Sequence, residues 1–398
     1  MTFDPTGVAV AKIGDIAASH GIRRVHMLAW RDLDDVEAGG SELHAATVAR
    51  LWAQAGLEVT MRTSFAQGHR PVIRRDGYKV VRRAGRYLVF PRAITAEVAH
   101  RYGPRDAVVE IWNGVPFLSP LWCRGPHVTF LHHVHTEMWQ TAFGEQAPML
   151  AALGDGFERR VAPRFYRGTR IVTLSPSSKR TIVDRLGLPD RNVSIVPPGV
   201  DERFSPGGVR TANPSVVAVG RLVPGKRVDL LLRSAAIARR TVPGMTLTIV
   251  GEGYERSALD KLVDDLDAAD WVTFAGRVDD DALVDLYREA WIVASASMVE
   301  GWGMTLTEAA ACGTPAVATR VAGHLDAVVD GVGGLLVEGE PEVLGAAMAR
   351  VLLDDALRRS LEAGALAHAA RFTWAATAAG VMRVLGAEAT RLRRRTDD

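Results

Sequence analysis

Two cysteines in 398 residues, Cys123 and Cys312, lie too far apart in sequence to read as a disulfide framework or a metal-ligand cluster, and that scarcity suits a reducing cytosol. No apolar run is long enough to span a bilayer. The first twenty residues carry Asp4, Lys12 and Asp15 and no apolar core, so no secretory signal is expected there. A net charge of +2 gives no overall attraction to nucleic acid. Gly-x-Gly-x-x-Gly is missing after the first strand-like run, which argues against a dehydrogenase.

What is present is a soluble composition, 47% hydrophobic and 24% charged, in a chain long enough for two domains. Strand-like runs at 24–30, 58–63, 108–112, 127–131 and 170–174 alternate with helical patterns, one of them from Leu43 to Ala55. Two prolines and Gly199 in Ile195-Val196-Pro197-Pro198-Gly199-Val200-Asp201 break the pattern and mark a boundary. Strands then recur at 215–220, 245–250, 271–275 and 291–296, with helices at 228–240, 258–267 and 281–290 between them. This predicts an α/β protein of two doubly wound, Rossmann-like domains, 1–202 and 203–372, followed by a last helix in 373–398.

The most informative stretch is Glu300-Gly301-Trp302-Gly303-Met304-Thr305-Leu306-Thr307-Glu308. It puts one carboxylate in a glycine loop and a second, eight residues on, on a short helix that Gly313 stops. Two carboxylates so placed can grip two parts of one polyhydroxylated ligand. Upstream, Gly220 ends a strand, and Arg221 and Lys226 follow in the loop before a helix. Arginine binds phosphate oxygens through paired hydrogen bonds, and lysine adds a compact charge. Gly39 and Gly40 stand between a strand and a helix, where backbone can approach a ligand and free N–H groups face it.

The spacing of Glu300 and Glu308, with Gly220, Arg221 and Lys226 ahead of them, resembles the family-four retaining glycosyltransferases, the glycogen-synthase-like or group 1 sugar transferases. That resemblance implies the GT-B arrangement, two such domains facing across a cleft, with the first binding an acceptor and the second a nucleotide sugar. It implies that the last helix crosses back to the first domain. By the same resemblance Arg221 and Lys226 contact the donor diphosphate, Glu300 faces the sugar hydroxyls, and Glu308 takes the ribose hydroxyls. The backbone of Gly301, Trp302, Gly303, Met304 and Thr305 lies along sugar and diphosphate, Gly39-Gly40 contributes on the donor side, and the base sits near Arg277 and Val278, with Gly251 at a neighbouring turn. Trp302 and Met304 stand where the family often has Phe and Leu, which keeps the bulk.

A histidine close to the reacting sugar is implied just after a first-domain strand, with His132 the first choice and His133 the second. His132, His133 and His135 suggest a metal to a motif search, but no carboxylate or cysteine completes a set, and no metal or cofactor is expected. The implied activity is metal-independent retaining transfer of a hexose, from GDP-mannose or UDP-glucose, to form an α-linkage. A nucleotide-sugar epimerase of the same fold is one alternative. Another is a glycoside hydrolase using Glu300 and Glu308, which leaves Arg221 and Lys226 unexplained. Ten Arg or Lys between Arg70 and Arg105, against Asp76 and Glu97, with the tail Arg391 to Arg395, read as a solvated arginine-rich surface; the sharper alternative is attraction to an anionic or lipid-linked acceptor or to anionic head groups. The location expected is the cytoplasm, with peripheral contact at the inner face of the membrane.

Overall fold

The computed structural model describes residues 5–134 and 148–397. The chain divides into two compact units, Met1–Gly199 with Trp374–Asp398, and Val200–Thr373. The division falls at the Pro197-Pro198-Gly199 turn.

The first unit holds an eight-stranded sheet, β1 (Arg24–Leu28), β2 (Glu58–Thr63), β3 (Val72–Arg75), β4 (Tyr78–Arg82), β5 (Ala107–Ile111), β6 (His127–Phe130), β7 (Arg170–Thr173) and β8 (Val193–Ile195), in the order β3-β4-β2-β1-β5-β6-β7-β8. All neighbours run parallel except β3 with β4. Parallel strands covered on both faces should read as apolar runs, and Val25, Met27, Val108, Val109, Val128 and Phe130 are fully buried. The β3–β4 hairpin was not anticipated. It turns on Asp76 and Gly77, both at positive φ, the conformation that tight two-residue hairpin turns demand.

The helix Trp374–Asp397 packs on this unit. Trp52 Nε1 donates to Ala378 O at 3.0 Å, Thr377 Oγ1 to Pro197 O at 2.8 Å, and Thr390 Oγ1 lies 3.1 Å from His20 Nδ1.

The second unit is a six-stranded, wholly parallel sheet, β9 (Ser215–Val219), β10 (Thr246–Val250), β11 (Val272–Gly276), β12 (Ile292–Ser295), β13 (Ala316–Thr319) and β14 (Gly334–Val337), in the order β11-β10-β9-β12-β13-β14. Its core gathers Val216, Leu231, Leu247, Ile249, Ile292, Val317 and Met348. Arg210 stitches the layer together, donating to the carbonyls of Arg288 at 3.0 Å and Gly313 at 2.6 Å.

Strand order reverses once in each sheet. In the second unit the chain leaves β9 for β10 on one side and returns to β12 on the other. Loops after β9 and β12 therefore diverge at the carboxyl edge, the place where open α/β sheets hold ligands.

Candidate active site

The loop after β9 is shaped by its neighbour. Gly220 N donates to Val250 O, and Leu222 N to Glu252 O, both at 2.9 Å. A Cβ on Gly251 would stand 2.0 Å from Gly220 O, and one on Gly253 would stand 2.1 Å from Leu222 O. Gly251 has φ +133. These glycines let the turn after β10 press against the loop that carries Arg221, so Gly251 supports the loop through the backbone. Gly251 N in turn donates to Gly276 O at 2.7 Å, ahead of Arg277 and Val278. Arg221 is exposed and has no ion-pair partner among the described residues.

Lys226 and Glu300 meet between the two diverging loops. The Lys226 ammonium donates to Glu300 Oε1, and Ser297 Oγ donates to the same oxygen at 2.7 Å. Burial alone would raise the Glu300 carboxyl. The Lys226 charge, His324 and the hydrogen bonds from Lys226 and Ser297 outweigh it and hold the group at about 2. This carboxylate is ionised throughout the physiological range.

The Glu300 loop rests on the turn before the short helix His324–Ala327. Gly323 (φ +72) comes so close that a Cβ would be 2.5 Å from Glu300 O. Gly303, at φ +111, begins the helix Met304–Ala311, with His324 Cδ2 3.3 Å from where its Cβ would be. Trp302 is buried and meets the Phe372 ring edge-on at 5.0 Å between centroids.

Glu308 lies on that helix, and Gly313 (φ +82) closes the chain just past its end. The buried Tyr287 hydroxyl donates to Glu308 Oε2 at 3.3 Å. Burial pushes the Glu308 carboxyl up to about 7; the Tyr287 bond opposes this, and Asp280 and Asp201 add to it. The two carboxylates eight residues apart are thus tuned in opposite directions, one by a cation and one by burial.

In the first unit, the helix Gly40–Gln54 starts at Gly40, three residues before the apolar pattern suggests. Glu42 Oε2 accepts from Gly39 N at 2.9 Å, and Arg31 Nε donates to Glu42 Oε1 at 3.3 Å. The preceding loop is clamped by buried charge: Arg75 and Arg82 both pair with Asp32, at 2.8 and 2.9 Å. Gly39 has extended backbone (φ −143), and a Cβ there would meet only Glu42 Oε2 at 3.9 Å. Nothing in the fold itself requires glycine at 39.

His132 follows β6 and is buried. Its Nε2 lies 3.1 Å from Nδ1 of His44, one turn into the Gly40–Gln54 helix. Burial pushes the His44 imidazole down to about 4, so it stays neutral. His133 is half-buried, and His135 lies outside the described residues.

Of the residues singled out in the sequence, the second unit brings Gly220, Arg221, Lys226, Gly251, Glu300, Gly301, Trp302, Gly303, Met304, Thr305 and Glu308 onto the carboxyl edge around the β9–β12 switch, with Arg277 and Val278 one strand further. Gly39, Gly40 and His132 gather in the first unit, linked through His44.

Comparison with known proteins identifies the family. The model for "Glycosyl transferases group 1" matches residues 200–367, and that for "Glycosyltransferase Family 4" matches residues 38–204. A D-inositol 3-phosphate glycosyltransferase of Acidothermus cellulolyticus is 34% identical over 87% of this chain and 85% of its own. The chain belongs to the group 1, family 4 glycosyltransferases.

A second relative, D-inositol 3-phosphate glycosyltransferase 2 of Catenulispora acidiphila, is 32% identical over 86% of this chain and 88% of its own. Sucrose-phosphate synthase from Thermosynechococcus elongatus superposes with a TM-score of 0.75 at 21% identity, covering 94% of this chain and 99% of that one. WaaG, a glycosyltransferase involved in lipopolysaccharide biosynthesis, gives 0.72 at 18%, covering 90% and 99%. Anabaena HepE in complex with UDP-glucose gives 0.69 at 18%, covering 94% and 99%. The fold of this glycosyltransferase is GT-B.

Four residues of the site escaped the sequence: Ser297, His324, Tyr287 and His44. Ser295 and Ser297, alternating as β12 runs out toward Glu300, are a signal for the first. Tyr287 occupies the buried side of the helix Asp280–Glu289 and reads as core. His324 and His44 are joined to their partners by topology alone.

Proposed function

We propose that this chain transfers a hexose from a nucleotide diphosphate sugar to a phosphorylated polyol, with the α-configuration retained. The observation that carries the reading is the Lys226–Glu300 pair at the β9–β12 switch point, with Arg221 exposed on the loop that carries Lys226. A lysine partly desolvated against a carboxylate and an arginine on the same loop, unpaired among the described residues, form a pre-set anion cradle. When a donor diphosphate enters, Lys226 and Arg221 neutralise the charge that builds on the leaving phosphate. Glu300, kept ionised, accepts from hydroxyls of the sugar. Glu308 accepts from the ribose hydroxyls, and its raised carboxyl favours a partner that donates. In the first unit a Cβ at Gly39 would meet only Glu42 Oε2 at 3.9 Å, so the amino end of the Gly40–Gln54 helix is open to a ligand.

The departing sugar carries positive character at its anomeric carbon, and the leaving phosphate oxygen takes the acceptor proton on the same face, which keeps the configuration. In this reading Arg221 and Lys226 supply the countercharge and no divalent ion is needed. HepE in complex with UDP-glucose supports a uridine donor as the first to try, and the relatives named for D-inositol 3-phosphate support a phosphorylated polyol acceptor. The exposed Arg70, Arg74, Arg83, Arg92 and Arg101 suit an anionic acceptor or head group, and binding to anionic vesicles at low salt tests the second. No helix among the described residues is long and apolar enough to cross a membrane.

The test is thermal shift and isothermal titration with UDP-, GDP- and ADP-sugars in the presence of a chelator. Stabilisation by one nucleotide family, lost in Arg221→Ala, supports the donor site. No binding by any member sinks it.

A further inference from the structure

Behind Glu300 runs a line of polar contacts that ends on a buried histidine. His324 is 1% exposed. Its Nδ1 lies 2.8 Å from Thr319 O, which has no proton to give, so Nδ1 carries the hydrogen. Its Nε2 lies 3.3 Å from Ser295 Oγ; Ser295 Oγ lies 3.3 Å from Ser297 Oγ; and Ser297 Oγ donates to Glu300 Oε1 at 2.7 Å.

Counting protons along this line separates two states. With His324 neutral, Nε2 accepts from Ser295, Ser297 gives its proton to Glu300, and the two serine oxygens face each other with no hydrogen between them. With His324 protonated, Nε2 donates to Ser295, Ser295 to Ser297, and Ser297 to Glu300, so every contact holds a donor. The continuous line exists only in the charged form, and it delivers that charge toward Glu300.

The charged groups acting on His324 are Glu300, from the loop after β12, and Lys226, from the loop after β9; Thr319 of β13 presents its carbonyl. Burial lowers the imidazole, Glu300 and the Thr319 carbonyl oppose this, and Lys226 adds to the lowering. While Lys226 sits on Glu300 the histidine has little reason to charge.

We propose that His324 is the replacement countercharge for Glu300: as Lys226 turns from Glu300 to a donor diphosphate, His324 takes a proton from solvent and the line through Ser295 and Ser297 closes. This rests on the reading that Lys226 binds the diphosphate. The physical reason is that a buried carboxylate that loses its cation is costly, and besides Lys226 the group that acts on Glu300 with positive charge is this imidazole. His324 is thereby a positioning residue, holding Glu300 ionised and oriented for the sugar while Lys226 serves the phosphate. Linkage then requires donor binding to take up protons and to tighten as pH falls toward 6.

The experiment is isothermal titration of the donor sugar found to bind, near pH 7, in buffers of different ionisation heat, which counts protons exchanged per donor. A diphosphate sugar has no phosphate group titrating there, and a Glu308→Gln background removes the one other site carboxyl that titrates near neutrality. In that background the account expects net proton uptake, abolished in His324→Gln and reduced in Ser297→Ala, with binding weakened in both but still measurable. Ser297→Ala keeps the histidine and serves if His324→Gln does not fold. Donor binding without proton uptake, or uptake unchanged in both variants, overturns the proposal while leaving the donor site standing. Failure of every diphosphate sugar to bind removes the donor reading, and this inference with it.

Discussion

Lys226 and Glu300, seventy-four positions apart, form one charge pair because β9 and β12 are neighbours across the point where strand order reverses. The pair holds a cation and an anion partly desolvated at the carboxyl edge of the second sheet, where the switch in strand order leaves room for a ligand. Its worth lies in being ready: the ammonium can move to a phosphate, and the carboxylate to a hydroxyl, without either being brought in from water.

Lys226→Met leaves Glu300 partly buried without its ammonium. We expect donor affinity to drop about tenfold or more, as for loss of a charge-assisted contact. Stability should fall as well, by roughly 1–3 kcal/mol. The wild-type carboxyl is held at about 2 against an ordinary 4.5, so it contributes stability above 4.5 that is lost as pH falls toward 2. Denaturant titrations at pH 7 and pH 3 should show the mutant deficit shrinking at the lower pH. An equal deficit at both would mean the ion pair is not its source.

Arg221→Ala separates binding from folding. Arg221 is exposed and unpaired among the described residues, so its removal should leave the melting temperature nearly unchanged. Donor affinity should fall by about 1.5–3 kcal/mol. Titration calorimetry and a thermal melt on one preparation check both halves.

Glu308→Gln should change stability in the opposite sense to a usual site mutation. The folded carboxyl titrates at about 7 rather than 4.5, so the folded state binds the proton more tightly, and stability falls as pH rises from 4.5 through 7. A neutral amide escapes that cost. Above pH 8 the variant should be more stable than wild type by roughly 1–3 kcal/mol, yet bind nucleotide more weakly. Urea melts at pH 5.5 and 8.5 measure it; a variant less stable at both would contradict the assignment.

Two glycines give contrasting outcomes. At Gly251 positive φ and a carbonyl 2.0 Å from the added Cβ should make alanine cost about 3 kcal/mol or more. At Gly39 the backbone is extended and a Cβ meets nothing closer than 3.9 Å, so alanine should cost under about 1 kcal/mol, chiefly through poorer capping. We expect that same alanine to lower affinity for a nucleotide sugar severalfold. Unfolding and binding measured side by side decide whether the space there belongs to a ligand.

The elements that sequence periodicity recovers are those with local signals. Apolar runs bounded by glycine gave β1, β2, β5 and β9 to within a residue or two, and Pro197-Pro198-Gly199 marked the unit boundary. The β3–β4 hairpin carries a local signal in Asp76-Gly77, but its strands are short and five arginines between 70 and 83 interrupt the apolar alternation that reads as strand. Glu300, Glu308, Arg221 and Lys226 were legible because their spacing follows strand-loop-helix geometry within one stretch. His324 was not, since nothing in Ala322-Gly323-His324 states that β13 places it beneath the Glu300 loop. His132 stands out in the sequence only as a histidine after a strand; the structure adds that a neutral His44 lies 3.1 Å from its ring.

The central claim is tested most directly by incubating the protein with a uridine or guanosine diphosphate hexose and inositol 3-phosphate, in chelator, and following the anomeric proton of the product by NMR. The account predicts nucleoside diphosphate release that depends on the acceptor, an α-linked product, and loss of both in Glu300→Ala. Release independent of any acceptor, a β-linked product, or cleavage of simple glycosides without nucleotide would contradict it.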